Sequence, residues 1–237
     1  MRQDAVIGVV IPALNEERAI ARVIADIPSW VDRIVVVDNG SHDRTGEVAR
    51  EAGAQVAAEG ERGYGAACQK GIDALPTADV IVFLDGDYSD HPDEMARLVD
   101  PIVSGEADFV IGSRVRGTLQ PGALTPQQRL GNWLACRLMR LIWGIRYTDL
   151  GPFRAIRSDA LQRLEMADRN YGWTVEMQIK AAELGLATLE VPVNYRPRIG
   201  VSKVSGTVKG TVLAGAKILS TIARFAVRSQ AGEREVS

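Results

Sequence analysis

The motif in this sequence that most directly suggests a chemical role is Asp85-Gly86-Asp87, in which one glycine separates two aspartates. They follow the apolar run Val80–Leu84, so they stand where a buried strand would end. Two carboxylates on one turn can share a hard cation, and Mg²⁺ or Mn²⁺ takes few protein oxygens and completes its shell with phosphates. Such a cation would neutralise a leaving diphosphate. The alternative is an acidic, solvated turn, because Asp-Gly often forms turns.

Polar residues also follow two earlier apolar runs. Asn15 and Glu16 come after Pro12 at the end of the first run, and Asp38 ends the second. Their side chains could meet a nucleobase or ribose, or they could start or cap the next helix. Gly63-Tyr64-Gly65 would let the backbone approach a phosphate or ribose.

Elements that could position these loops alternate along the first half of the chain. Apolar, β-branched runs occupy Val6–Ile11, Ile34–Asp38, Ala54–Ala58, Val80–Leu84 and Phe109–Ile111. Helical patterns occupy about Asn15–Ile27, Asp43–Ala52, Tyr64–Ala74 and Pro92–Val103. The alternation predicts an α/β fold whose mostly parallel sheet is covered by helices on both faces. Ligands bind such sheets at the carboxyl ends of the strands.

The second half has a different pattern. Residues 114–128 show little periodicity and predict a long loop, of the kind that often forms a lid. Helices are expected at about Arg129–Trp143, Ser158–Leu164 and Thr174–Leu184, followed by a strand at Thr188–Val193.

Composition excludes several classes of function. The net charge of −2 gives no basis for nucleic-acid binding. Cys68 and Cys136 lack zinc or redox spacing and are expected to be buried thiols. The first apolar run is too short for a signal peptide or a membrane span, which predicts cytoplasmic residence.

An amphipathic helix is predicted over 207–228, with residues 229–237 as a disordered tail. It has no uncharged run long enough to span a bilayer. Its basic side carries Lys209, Lys217, Arg224 and Arg228, and its apolar side carries Val208, Ile218, Leu219, Ile222 and Phe225. The helix could lie on an anionic membrane at its inner face, pack on the catalytic domain, or form a homodimer contact.

Several motifs in order resemble those of the family 2 glycosyltransferases. They are Val10–Glu16, Val37–Thr45, Gly63–Ala67 and Leu84–Asp87. Three further motifs resemble the dolichol-phosphate mannose synthase branch, which includes polyprenyl-phosphate glycosyltransferases. They are Ile111–Arg114, Gly151–Arg154 and Ser202–Thr207.

The resemblance implies a GT-A fold in a single domain over 1–228, with a nucleotide-sugar half at 1–115 and an acceptor half at 116–206. It implies an inverting, metal-dependent hexosyltransferase that uses Mg²⁺ or Mn²⁺, a nucleotide-diphosphate sugar and a polyprenyl phosphate. Carried over by position, the donor-binding residues are Pro12, Ala13, Leu14, Glu16, Asp38, Gly65, Asp85, Gly86 and Asp87. Asp85 and Asp87 are the metal ligands. The acceptor or phosphate residues are Arg114, Arg129, Arg198 and Lys203.

Catalytic candidates are Asp87, Arg129 and Glu176. A phosphate acceptor is already anionic and needs positioning, whereas a hydroxyl acceptor needs a base, for which Glu176 is the candidate. Glu176 could instead favour the dipole of its helix. Trp173 could stack on a sugar or belong to the core.

The sequence departs from the family pattern at three positions, namely Asn39, Tyr64 and Ser89. These departures leave the nucleobase of the donor, the transferred sugar and the acceptor undetermined.

Three other functions remain as alternatives. One is a glycosyltransferase of the same fold that acts on a hydroxyl group. Another is a sugar nucleotidyltransferase, against which the acidic, glycine-free loop after the first strand argues. The last is a silent binding module, against which the intact Asp85 and Asp87 argue.

Overall fold

A seven-stranded sheet organises the computed structural model, which describes Arg2, residues 4–200 and residues 208–235, with side chains for 213–228 of the last segment. The strands are β1 (Ile7–Ala13), β2 (Arg33–Asp38), β3 (Gln55–Ala58), β4 (Val80–Phe83), β5 (Phe109–Ser113), β6 (Arg154–Arg157) and β7 (Thr188–Pro192). Their order in the sheet is β3-β2-β1-β4-β6-β5-β7. The predicted α/β class with a mostly parallel sheet is confirmed.

The sheet is parallel except around β6. Strand β1 pairs in parallel with β2 and β4, and its residues are almost all fully buried, as its continuous apolar sequence requires. Strand β6 runs antiparallel between β4 and β5. The sequence did not predict β6, because Arg154 lies within it. This arginine is buried and donates to the carbonyl oxygens of Leu150, Gly151 and Thr174, which satisfy its charge inside the sheet.

Helices cover both faces of the sheet. They are α1 (Ile20–Ala25), α2 (Thr45–Glu51), α3 (Tyr64–Asp73), α4 (Ala96–Val103), α5 (Pro126–Trp143), α6 (Ser158–Leu164), α7 (Trp173–Glu183) and α8 (Val208–Glu235). Helix α1 begins later than predicted, because Asn15 has a left-handed backbone (φ 54) and the Glu16 N–H donates to the Thr45 hydroxyl instead of entering a helix. Both cysteines are buried free thiols, as expected.

Helix α8 packs on the rest of the fold. Its Ile222 and Phe225 are buried in one apolar cluster with Ala135, Cys136 and Met139 of α5. It also contacts α7, and it extends to Glu235, beyond Arg228 where the amphipathic segment was predicted to end. Within the described part of the chain, no helix combines the length and apolar character needed to cross a bilayer.

Candidate active site

Two adjoining cavities open at the carboxyl ends of the strands. The first, of about 440 Å³, lies over β1 and β4, and the second, of about 590 Å³, lies beneath the start of α5. Asp85, Asp87 and Arg198 line both. Their side chains therefore stand where a ligand in one cavity would meet a ligand in the other.

The first cavity collects most residues predicted to bind a donor. The predicted donor residues that line it are Pro12, Ala13, Leu14, Glu16, Asp85, Gly86 and Asp87. Asn39, Arg62, Gly63, Tyr64, Ala67, Asn170 and Tyr171 complete most of the wall. The second cavity has a different lining. Its residues outside α5 include Arg114, Leu150, Thr174, Tyr195, Pro197 and Ile218.

The turn after β4 is ordered by its own side chains. The Ser89 N–H and hydroxyl both donate to Oδ1 of Asp87. Oδ2 of the buried Asp90 accepts the N–H of Asp85 at 3.1 Å. Sequence reasoning missed Asp90, which had no motif to mark it. Ser89 thus fixes the orientation of the Asp87 carboxylate.

Carboxylates crowd this turn. Burial raises the pKa of Asp85 well above its ordinary value, and the neighbouring Asp87 and Asp90 charges raise it further. Burial likewise raises the pKa of Asp90 to about 7. A bound cation would relieve this repulsion.

Arg198 supplies a positive charge at the junction of the cavities. Its Nη2 lies 2.6 Å from Oε1 of Glu16, and its Nη1 lies 3.1 Å from Oδ2 of Asp87. The segment that carries it is held to the β4 turn by main-chain bonds, since the N–H of Ile199 donates to the Asp87 carbonyl at 2.9 Å. Arg198 therefore bridges the β1 and β4 loops across the cavity floor.

Arg114 is locked in place by Asp149. Its Nε and Nη2 form a two-pronged contact with that carboxylate, at 2.8 and 2.7 Å, and its guanidinium lies 5.0 Å from the centre of the Tyr195 ring. Asp149 is fully buried. The positive charge of Arg114 is thus fixed at the wall of the second cavity, with two of its five N–H donors bonded to Asp149.

The donor set at Asp85 and Asp87 fits Mg²⁺ or Mn²⁺ shared with a substrate. The described residues include no group of three or more His, Cys, Asp or Glu that could hold a metal by themselves. Mg²⁺, however, is usually held by one or two carboxylates together with substrate phosphates and waters. The hard oxygens of two carboxylates at the open junction of two cavities match that mode.

The Gly63-Tyr64-Gly65 motif has a packing role. A Cβ atom at Gly63 would lie 2.1 Å from the carbonyl oxygen of Arg169, and one at Gly65 would lie 2.0 Å from that of Asp168. The N–H of Ala66 donates to the Arg169 carbonyl at 2.9 Å. The glycines therefore admit the loop 168–171 to the start of α3, and that loop carries Asn170 and Tyr171 into the first cavity.

Asn39 joins two loops at the rim of the first cavity. Its amide nitrogen donates to the carbonyls of Glu59 and Glu61, and its oxygen accepts the N–H of Gly63 at 2.8 Å. An aspartate could not donate these two bonds. The neighbouring Asp38 does not line either cavity described here and accepts the N–H of Ser41 at 2.8 Å, so it orders the turn after β2.

Two catalytic candidates lie away from the cavities. Glu176 is 1% exposed and accepts the N–H groups of Ala167 and Asp168, and Lys180 lies 2.8 Å from it. This geometry argues against Glu176 as a general base, because both of its oxygens are engaged by N–H groups and by Lys180. Arg129 is exposed on α5 and lines neither cavity. Trp173 is a core residue, edge-on to Phe83. Lys203, with its motif 202–207, falls outside the described residues.

Comparison with known proteins identifies the family of this chain. The glycosyl transferase family 2 model matches residues 8–165. An uncharacterized glycosyltransferase of Mycobacterium tuberculosis is 37% identical over 90% of this chain and 96% of its own length. A dolichyl-phosphate hexose transferase of Haloferax volcanii is 34% identical over 87% of this chain and 90% of its own length. An undecaprenyl-phosphate mannosyltransferase of Micrococcus luteus is 29% identical over 91% of this chain and 94% of its own length.

A solved structure shares the fold. Glucosyl-3-phosphoglycerate synthase from Mycobacterium tuberculosis, in complex with Mn²⁺, uridine diphosphate and phosphoglyceric acid, superposes with a TM-score of 0.76 and 25% identity. The match covers 94% of this chain and 79% of that one.

Proposed function

This chain is a glycosyltransferase that belongs to glycosyl transferase family 2, and from that premise we propose that it moves a hexose from a nucleoside-diphosphate sugar to a polyprenyl phosphate. The proposal includes inversion at the anomeric carbon and a Mg²⁺ or Mn²⁺ ion at Asp85 and Asp87. The first cavity is the proposed donor cavity, and the second is the proposed acceptor cavity.

The observation that carries the proposal is the shared lining of the two cavities. Asp85, Asp87 and Arg198 face both, so the diphosphate of a donor and the nucleophile of an acceptor would meet at these side chains. A metal at the two carboxylates would supply charge neutralisation for the departing diphosphate. Arg198, held by Glu16 and Asp87, would keep a fixed positive charge beside the phosphates.

The acceptor cavity suits a phosphate monoester. Among the described residues that line it, the only carboxylates are Asp85 and Asp87, which the proposal commits to the metal. A hydroxyl acceptor would need a further carboxylate as a base within hydrogen-bond reach. A phosphate oxygen is already anionic and needs orientation, which Arg114 and Arg198 can give.

The relatives support a lipid phosphate as the acceptor. Two of them are named for transfer to dolichyl phosphate and to undecaprenyl phosphate, and each matches along most of this chain. The solved structure supports a second candidate, transfer to a hydroxyl of a small phosphorylated acceptor, because that synthase was crystallised with phosphoglyceric acid.

Replacing Asp87 with asparagine tests the site. Asp87→Asn keeps the shape of the side chain and removes the charge, so metal-dependent release of nucleoside diphosphate should fall by about 10²–10³-fold. Asp93→Asn is the matched control, because Asp93 lies just beyond the same turn with an exposed side chain and lines neither cavity. Turnover by Asp87→Asn that equals that of the control would contradict the metal assignment.

A further inference from the structure

The outer face of α5 exposes large apolar side chains. Leu130, Trp133 and Leu141 are 64, 59 and 70% exposed, and Leu134 is 37% exposed. At about 100° per residue, these four side chains and Arg137 fall within one arc about 100° wide. They form a stripe along the helix, which we call the α5 stripe. Isolated surface leucines are ordinary, whereas a contiguous patch marks a contact surface.

The α5 stripe is fixed in orientation. The opposite face of the helix is buried through Ala135, Cys136 and Met139 against α7 and α8. Thr125 and Gln128 form a reciprocal capping box at the start of the helix, and Gly144 ends it in a left-handed conformation. The apolar stripe therefore faces outward on an anchored helix and does not belong to the core.

Exposed arginines accompany the α5 stripe. From residue 114 to residue 148 the sequence contains no Asp or Glu and six arginines, although the whole chain has a net charge of −2. The arginines are Arg114, Arg116, Arg129, Arg137, Arg140 and Arg146. Arg129, Arg137 and Arg140 are exposed, and none of the three forms an ion pair with another described residue. This surface is complementary to an anionic one.

The helix also borders the proposed acceptor cavity. Gln127, Gln128, Gly131 and Asn132 of α5 line that cavity. The α5 stripe therefore lies on the same helix as one wall of the proposed acceptor cavity, and Leu130 and Trp133 flank lining residues in sequence.

We propose that the α5 stripe docks this enzyme on an anionic lipid bilayer, with Trp133 and the leucines in the interface and the exposed arginines among the headgroups. Apolar side chains flanked by Lys or Arg are the general means by which a helix lies in such an interface. The inference rests on the proposed function for its purpose, because a polyprenyl phosphate enters the acceptor cavity from a membrane.

Helix α5 takes the membrane role that the sequence suggested for α8. Part of the apolar face of α8 is used for packing, since Ile222 and Phe225 are buried, whereas Leu219 is exposed. One of its predicted basic residues, Lys217, lies 2.8 Å from the Asp168 carboxylate. A homodimer through the α5 stripe is disfavoured, because two copies would bring the same arginines together.

Vesicle co-sedimentation of the full chain tests the proposal. The protein should bind vesicles of phosphatidylglycerol and phosphatidylcholine and should not bind phosphatidylcholine alone. Trp133→Ser with Leu141→Ser should weaken binding at least tenfold, and Arg137→Glu with Arg140→Glu should weaken it by more than that, since each arginine near an anionic surface contributes roughly fivefold. Leu213→Ser on α8 is the matched control, with an exposure of 54%, and should bind as the parent does.

Three results would overturn the proposal. The first is failure of the parent chain to bind anionic vesicles. The second is unchanged vesicle binding by the Trp133/Leu141 variant while the Leu213 variant loses binding. The third is a dimer of the parent chain in analytical sedimentation that is absent from the Trp133/Leu141 variant. Turnover of a short, water-soluble prenyl phosphate separates the two proposals. If the Trp133/Leu141 variant turns it over normally while failing to bind vesicles, docking and function are both supported. If the parent binds vesicles but turns over no prenyl phosphate, the proposed function fails and docking stands.

Discussion

Replacing Gly65 with alanine should destabilise the protein and weaken donor binding, although alanine is the better helix former. The new Cβ would lie 2.0 Å from the Asp168 carbonyl oxygen and 2.9 Å from the Arg169 carbonyl carbon. Both are backbone atoms, which cannot rotate away as a side chain would. The loop 168–171 must therefore move from the start of α3.

The competing effects can be set against each other. Helix propensity favours alanine by about 1 kcal/mol. Displacing the loop breaks the hydrogen bond from the Ala66 N–H to the Arg169 carbonyl, which contributes about 1 kcal/mol. Forcing an extra methyl into a packed contact costs about 1–3 kcal/mol. The net loss is about 1–3 kcal/mol, which for a chain of this size lowers the melting temperature by roughly 2–12 °C.

Thermal unfolding and nucleoside-diphosphate titration check both parts. Because Asn170 and Tyr171 line the donor cavity and not the acceptor cavity, nucleotide affinity should fall while acceptor affinity is kept. Gly131→Ala is the control, since no atom lies within 4 Å of its added Cβ, and it should stabilise α5 by about 1 kcal/mol with unchanged nucleotide affinity. If Gly65→Ala matches this control in stability and nucleotide affinity, the close approach of the loop is refuted.

Three more substitutions test individual contacts. Glu176→Gln should lower the melting temperature and leave kcat within a few fold, because Glu176 holds backbone N–H groups; a kcat loss of about 10²–10⁴-fold with the fold intact would restore it as a base. Arg114→Lys should raise the KM for the acceptor at least fivefold, since lysine cannot reproduce the two-pronged contact with Asp149; an unchanged KM would show that the geometry of Arg114 is unimportant. Asp168→Asn should raise the KM for the nucleotide sugar with little change in kcat, because it removes the ion pair with Lys217 that steadies the donor loop; a fall in kcat alone would contradict this role.

The parallel strands and their polar ends could be predicted from the sequence because both signals are local. The apolar run of β4 is followed directly by Asp85, and the structure places that aspartate at the cavity junction. The order of the motifs also identified the family correctly. The antiparallel β6 could not be predicted, because a charged Arg154 argues against a buried strand, and nothing local shows that carbonyl oxygens of the preceding turn and of Thr174 will surround its guanidinium.

Those features of the site that the sequence alone does not show depend on tertiary contacts. Glu176 stands alone as an acid in its segment, and only the fold shows that its oxygens face the N–H groups of residues 167 and 168. Gly65 was assigned to a ligand because nothing local shows that the 168–171 loop packs against it. Asp168 itself carries no motif, although it joins that loop to α8.

Transfer to a lipid phosphate is tested most directly by comparing acceptors at fixed concentrations of donor and divalent metal. Polyprenyl phosphate, the corresponding unphosphorylated polyprenol and 3-phosphoglycerate are each incubated with labelled nucleoside-diphosphate sugars, and both nucleoside-diphosphate release and label in the organic phase are measured. We expect release and lipid-bound label with polyprenyl phosphate and with neither of the other acceptors. Release with polyprenol or 3-phosphoglycerate, and none with polyprenyl phosphate, would contradict it.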